Sequence, residues 1–122
     1  MLWILLIAIV AVLLLWSYWF TRRFVARSLA EYPPIGTFVT VGDSQIHYIE
    51  EGSGQPVVMI HGSDGTLFNF KRSIFESAAA EYRAIAFDRP GHGYSEAPPA
   101  ESLTIPLNAR TIREATRQLG IE

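Results

Sequence analysis

The sequence predicts an α/β domain built on a parallel βαβ unit and carried behind an N-terminal membrane helix. Three observations predict it. Residues 1–20, MLWILLIAIVAVLLLWSYWF, carry no charged side chain. The stretch Pro56–Gly65, PVVMIHGSDG, passes from four apolar residues straight into a polar loop punctuated by glycine. The stretch Ala84–Ser95, AIAFDRPGHGYS, repeats that pattern downstream. A short apolar run without alternation fits a strand buried on both faces, as in a parallel sheet. In an open α/β sheet, ligands bind beyond the carboxyl ends of the strands. Both polar loops therefore lie where such a fold does its chemistry.

From Leu2 to Phe20 the clearly polar residue is Ser17. At about 1.5 Å per residue this run spans roughly 28 Å, close to the roughly 30 Å hydrocarbon core of a bilayer. Trp3 stands at one end, and Trp16, Tyr18 and Trp19 at the other. That spacing matches interfacial aromatic belts. Arg22, Arg23 and Arg27 then stop the run. A cleaved signal peptide needs a basic start and an apolar core of about 7–15 residues. Here the start has no basic side chain, the run is longer, and Ser28-Leu29-Ala30 is a weak cleavage site. Residues 1–23 are therefore read as a retained single-pass transmembrane anchor. Its partner is the lipid bilayer, met through residues 2–20. All three arginines lie C-terminal to the span, which places the following domain in the cytoplasm. One informative flank leaves an extracytoplasmic domain as the alternative. Residues 24–36 are read as a linker, in which Pro33-Pro34 favours extended backbone.

Composition narrows the function classes. The 122 residues allow one domain plus the anchor. A net charge of -2 gives no electrostatic case for nucleic acid. There is no cysteine, which excludes disulfides and thiolate metal sites.

After the linker, Thr37–Val41 alternates and reads as a strand. Gly42-Asp43 signals a turn, and Ser44–Glu50 alternates again, so an antiparallel hairpin is expected. Ile46, Tyr48 and Glu50 fall on one face, and Gln45, His47 and Ile49 on the other. Adjacent Glu50 and Glu51 point to opposite faces, so they cannot act as paired glycosidase carboxylates. They read as a solvated strand end. His47 has no metal-ligand spacing to His61 or His92 and reads as a surface or half-buried structural residue. Gly52-Ser53-Gly54 precedes its strand, whereas a dinucleotide fingerprint follows one, and no GxxxxGK[ST] loop is present. Between the two apolar strands, Leu67, Phe70, Ile74, Ala78 and Ala79 recur near a 3.6-residue period, predicting one helix over Leu67–Tyr82. Ala97–Ala100 reads as a loop. Thr104 is placed to cap a final helix with Pro106 in its first turn and Gly120 at its stop. Ile105, Ala109, Ile112, Thr116 and Leu119 are its expected inner face.

The strand ending in HGSDG and the strand ending in DRPGHGYS, in that order and a helix apart, carry a resemblance. Residues 37–122 resemble the N-terminal half of an α/β-hydrolase of the esterase, epoxide-hydrolase and haloalkane-dehalogenase kind. The resemblance implies an antiparallel hairpin and then a parallel βαβ unit, the first strands and helices of a larger sheet. The PVVMI strand would sit between the AIAFD strand and one that this chain lacks. The resemblance makes HGSDG the oxyanion loop, in which the Ser63 backbone N–H is the catalytic donor. Its support would come from His61, Gly62, Asp64 and Gly65, with His61 structural. Gly62 and Gly65 are expected to allow close backbone approach, and Asp64 to bond local amides. Asp88, Gly91, His92, Gly93 and Ser95 would shape one wall of the active-site mouth.

Asp88, His92 and Ser95 share one tight turn and are rejected as a triad. Gly93–Ala97 lacks the last glycine of G-x-S-x-G and follows a turn where a nucleophile must follow a strand. The family continues into that elbow beyond Glu122, so nucleophile, acid and histidine have no candidates, and this chain alone is expected to be inactive. The intact relative is expected to hydrolyse a small apolar ester, epoxide or similar bond, with no cofactor and no metal. The alternative is a non-catalytic membrane-tethered binding or interaction module. A strand and GxSxG encoded after Glu122 would distinguish the first from the second.

Overall fold

The computed structural model describes residues 1–99 and 104–121; Ala100, at the end of the expected 97–100 loop, lies outside them. Contacts divide the chain into two units, Met1–Pro33 and Pro34–Glu122.

The first unit is one helix, α1 (Leu2–Glu31), with no buried residue. Among the described residues it is the one helix long and apolar enough to cross a membrane. It runs past the expected end of the anchor and takes in residues 24–31, which were expected to be linker. Phe24–Glu31 contains neither glycine nor proline, so nothing interrupts the hydrogen-bond ladder. The Tyr32 N–H still bonds the Ser28 carbonyl at 2.9 Å. Pro33-Pro34 then removes the next donors and ends the helix.

The second unit contains strands β1 (Thr37–Val41), β2 (Ser44–Glu51), β3 (Pro56–Ile60) and β4 (Arg83–Phe87). Helices α2 (Phe68–Lys71) and α3 (Phe75–Glu81) lie between β3 and β4, and α4 (Ile105–Gln118) follows. The sheet order is β1-β2-β4-β3. β1 and β2 form the expected antiparallel hairpin. β4 pairs antiparallel to β2 and parallel to β3, so the expected parallel βαβ pair is present.

The sheet is covered on both faces. Ile46, Tyr48, Ile85 and Phe87 pack with Val39 against Ile112 and Ala115 of α4. Ile49, Met59, Ala84 and Ala86 pack against Leu67 and Phe75 on the other side. The parity read from β2 therefore holds, but neither of its faces is a solvent face at the centre. Ile46, His47, Tyr48 and Ile49 are all buried. β3 differs from the expected doubly buried strand. Met59 is buried, Val57 and Val58 are half-buried, and Ile60 is 50% exposed. Its place at the edge of the sheet is the reason.

The expected single helix over Leu67–Tyr82 is two pieces. The Ser73 hydroxyl donates to the Asn69 carbonyl at 2.6 Å. The Phe70 carbonyl takes both the Ser73 and the Ile74 N–H. A side chain thus competes with the regular ladder and the helix restarts out of phase. Phe75 becomes fully buried while Ile74, the expected core residue, is 54% exposed. Gly52 lets the exit of β2 pass beneath α3: at φ +83, a Cβ there would meet the Tyr82 carbonyl oxygen at 2.1 Å.

In α4 the expected caps are in place. The Thr104 hydroxyl accepts from the Leu107 N–H at 3.3 Å. Gly120 takes φ +74, with Ile121 N–H on the Thr116 carbonyl and Gly120 N–H on the Arg117 carbonyl, a Schellman closure. The inner face is shifted: Ile112 and Ala115 are buried, whereas Ile105, which lies in the first turn at the helix end, is 84% exposed.

The restart at Ser73 makes a direct prediction. Phe75→Ala costs about 3–5 kcal/mol of unfolding free energy, whereas Ile74→Ala stays within about 0.5 kcal/mol. Urea unfolding of the two variants measures both, and equal losses would mean that α2 and α3 are one continuous helix.

Candidate active site

β3 and β4 run parallel with Ile60 level with Phe87. The loops that leave them, residues 61–65 and 88–95, therefore start side by side at one end of the sheet. Two parallel strands of equal length force this placement.

The first loop is held by its own histidine and by the second loop. His61 is buried. Its Nδ1 lies 2.7 Å from the Gly62 carbonyl oxygen, and its Nε2 accepts from the Arg89 N–H at 3.0 Å. The tautomer with its proton on Nδ1 satisfies both. Burial pushes the His61 pKa below its ordinary 6.5, and the Arg89 charge adds to this, against the opposing pull of the Gly62 carbonyl. Arg89 Nη2 also donates to the Gly62 oxygen at 3.1 Å. His92 Nε2 lies 3.0 Å from the Ser63 carbonyl oxygen, and the two imidazole rings are 5.2 Å apart. The carbonyls of Gly62 and Ser63 are thus both engaged. The Ser63 N–H has no acceptor among the described residues, and Ser63 is exposed. Asp64 is exposed as well. Gly65 is buried and donates to the Gly62 carbonyl at 3.3 Å. A Cβ at Gly65 would stand 3.1 Å from His61 Cβ, so close approach there is real; at Gly62 a Cβ would meet nothing within 4 Å. Gly62 also lacks a positive φ, so this backbone does not require glycine there.

The second loop is organised from inside. Asp88 is fully buried. Its Oδ2 lies 2.8 Å from His47 Nδ1 and accepts from the Tyr94 N–H at 3.1 Å. Its Oδ1 accepts from the Leu67 N–H at 2.8 Å. Burial pushes the Asp88 carboxyl up, but these bonds outweigh it and hold the pKa below its ordinary 3.8. Ser95 is also buried. Its hydroxyl donates to the Asp88 carbonyl at 2.6 Å and accepts from the His47 N–H at 2.9 Å. The Asp88 N–H bonds the His47 carbonyl, and the Glu96 N–H bonds the Gln45 carbonyl, both at 2.9 Å. The loop thus bonds β2 at His47 as it leaves β4 and again at Gln45. Gly93, at φ +52, turns beneath the carboxylate, where a Cβ would stand 2.2 Å from Asp88 Oδ2.

These positions correct two expectations. Asp88 and Ser95 do not face the mouth: both side chains point into the protein and bind β2. The outer surface of the loop is left to Gly91, His92 and Gly93, which are exposed or half-exposed. His47 is neither a surface nor a half-buried residue but is fully buried. His47, Asp88 and Ser95 are contiguous, yet they form no nucleophilic triad. Ser95 Oγ bonds backbone groups, and His47 Nε2 accepts from the Gly36 N–H at 3.2 Å. His92 points at Ser63 and Pro90. Among the described residues no group of three or more His, Cys, Asp or Glu could hold a metal ion. Sequence reasoning missed Arg89 as a lock on the first loop. The parity of β2 was the available signal for His47, since it puts His47 on the face of Ile49.

No protein-family model matches the chain. It is 32% identical over 91 residues to haloalkane dehalogenase 2 of Mycobacterium bovis, a match covering 75% of this chain and 32% of the relative. It is 41% identical over 63 residues to an epoxide hydrolase of Caballeronia sordidicola, covering 52% of this chain and 19% of the relative. Among solved structures, an esterase from Exiguobacterium antarcticum matches with a TM-score of 0.63 and 36% identity, covering 71% of this chain and 32% of that one. The chain spans about a third or less of the length of these relatives.

The buried carboxylate gives a pH test. A carboxyl held below 3.8 in the fold contributes stability that is present above its unfolded pKa and is lost as pH falls through the folded one. Asp88→Asn removes that contribution and leaves N–H donors poorly matched, a cost of about 3 kcal/mol at pH 7. Urea unfolding at pH 7 and pH 3 should show the gap between wild type and variant narrowing in acid. A gap that stays constant would show that the carboxylate charge is not what the three donors hold.

Proposed function

We propose, on the premise that the matched part of this chain belongs to the α/β-hydrolase family, that the loop His61–Gly65 is an oxyanion loop and the Ser63 N–H one of its donors. The carrying observation is that N–H. It has no acceptor among the described residues, while the Gly62 carbonyl of the same peptide unit is tied to His61 and Arg89. A peptide unit held in this way cannot rotate its donor away. Hydrolysis of an ester builds negative charge on one oxygen, and a pre-aimed backbone dipole stabilises that charge without reorganising. The names of the relatives, a dehalogenase, an epoxide hydrolase and an esterase, differ in the bond they imply. The substrate is therefore a small, mostly apolar molecule with an ester, epoxide or similar bond. Neither metal nor cofactor enters this reading. Ser63 and Ser95 are not the nucleophile. Ser95 Oγ is buried in backbone bonds, and the nearest imidazole contact to Ser63 is to its carbonyl.

The same reading makes α1 a bilayer anchor through residues 2–20, with the second unit on the cytoplasmic side. Arg22, Arg23 and Arg27 set that orientation. An anchored hydrolase meets apolar substrates where they concentrate, in and beside the membrane.

Two experiments test the proposal. In the first, residues 37–121 replace the matching segment of the Exiguobacterium antarcticum esterase, and p-nitrophenyl acetate hydrolysis is followed. Ser63→Pro removes the N–H and should lower kcat by about 10²–10³-fold, whereas Ser63→Ala keeps the N–H and the rate. If the alanine variant loses as much as the proline variant, the backbone donor is not the active group. In the second, the intact chain should remain in the membrane pellet after alkaline carbonate washing, and a chain without residues 1–31 should be released. Release of the intact chain would refute the anchor.

A further inference from the structure

We propose that Arg22, Arg23 and Arg27, supported by Tyr18 and Trp19, form a binding site for the phosphodiester headgroup of an anionic phospholipid. The inference rests on the reading of α1 as a membrane anchor and goes beyond it, since a span by itself selects no lipid. Trp19, Arg23 and Arg27 follow at four-residue steps and so share one face of the helix, with Tyr18 and Arg22 alongside. The Arg23 guanidinium lies 5.2 Å from the centre of the Trp19 ring. The Arg22 guanidinium lies 5.8 Å from the centre of the Tyr18 ring, and its Nη1 donates to the Tyr18 hydroxyl at 3.1 Å. Cation–π contact of this kind holds two of the heads over aromatic platforms.

Charge defines the ligand. Residues 1–30 contain no Asp or Glu, and among the described residues none of the three arginines has a carboxylate partner. Glu31, one turn beyond Arg27, ends the helix without pairing to it, so among the described residues three cations stand together with no ion-paired counter-anion. Depth defines its source. A span of residues 2–20 puts Trp19 at the hydrocarbon boundary, and Arg23 lies about 6 Å farther along the helix, in the headgroup layer. Trp19, Phe20, Arg23, Phe24 and Arg27 line a shallow hollow of about 320 Å³ there. The planar guanidinium fork matches two phosphate oxygens at once. In a zwitterionic lipid the headgroup cation offsets the phosphate, whereas in an anionic lipid it does not, so unpaired arginines favour the latter.

Brominated lipids test this. The intact chain carrying Trp3→Phe, which leaves tryptophan only at the C-terminal end of the span, is placed in vesicles of phosphatidylcholine and phosphatidylglycerol with one lipid brominated at a time. Quenching should report phosphatidylglycerol enriched about fivefold around Trp19, the preference of a single arginine near an anionic surface. Arg22→Gln, Arg23→Gln and Arg27→Gln together should abolish that enrichment while brominated phosphatidylcholine still quenches. In the unsubstituted arginine background, raising NaCl from about 0.1 M to about 1 M should weaken it. Equal quenching by both lipids, or enrichment that survives the triple substitution or the salt, overturns the headgroup site and leaves the anchor standing. Quenching by neither lipid overturns the anchor and the site with it.

Discussion

The second unit depends on one buried carboxylate. Asp88 has no solvent exposure, and an ionised carboxyl in that position is tolerable only if its lone pairs are filled. Three elements fill them. β2 supplies the His47 imidazole, the residue before α2 supplies the Leu67 N–H, and the second loop supplies the Tyr94 N–H. Each donor is thereby tied to the end of β4. Other features follow from this arrangement. Position 93 must be glycine, since any side chain would occupy the carboxylate. Ser95 must be small and hydroxylic, because it bridges the Asp88 carbonyl and the His47 N–H.

The first loop inherits its rigidity from this hub. Arg89 follows Asp88 directly, so fixing Asp88 fixes the Arg89 N–H that binds His61 Nε2. His61 in turn holds the Gly62 carbonyl. A chain of short bonds runs from the core of the sheet to the peptide unit of Ser63 without passing through any flexible side chain longer than an imidazole. The lowered pKa of His61 fits this role. Its Nε2 must remain an acceptor, and a second proton there would face the Arg89 N–H. The histidine residues of the two loops therefore work as positioning groups that hold backbone atoms, which is a different task from moving protons in a reaction.

The sequence was legible where one residue pattern decides one outcome. The hairpin, the two parallel strands, the Thr104 cap and the Gly120 stop all follow from alternation, apolar runs and turn chemistry, and all are present. It was less legible where the outcome depends on a neighbour. Parity assigned His47 and Ile49 to the same face of β2, but parity cannot say whether a second layer covers that face. Asp88 and the rings of Phe38 and Tyr94 lie against the His47 imidazole and bury it. The 3.6-residue period chose Ile74 because the count runs on through Ser73, whereas the serine hydroxyl breaks the ladder and passes the core position to Phe75. The anchor was expected to end at residue 23, but Phe24–Glu31 had no reason to leave the helix, and α1 runs on until Pro33-Pro34 stops it. HGSDG and DRPGHGYS told of two loops that start side by side at one end of the sheet, and not of the directions of their side chains. Asp88 and Ser95 belong to the same short motif as His92, yet they turn inward because β2 offers donors and acceptors on that side.

The geometry also sets a condition on the proposed chemistry. A backbone donor stabilises a developing anion strongly only where water is excluded, because bulk solvent screens the dipole. In the described residues Ser63 is exposed, and Ile60 immediately before the loop is half exposed at the edge of the sheet. The proposed oxyanion loop is therefore rigid, while its donor stands open to solvent. Rigidity is supplied from below by Asp88, Arg89 and His61. The two requirements are physically separable.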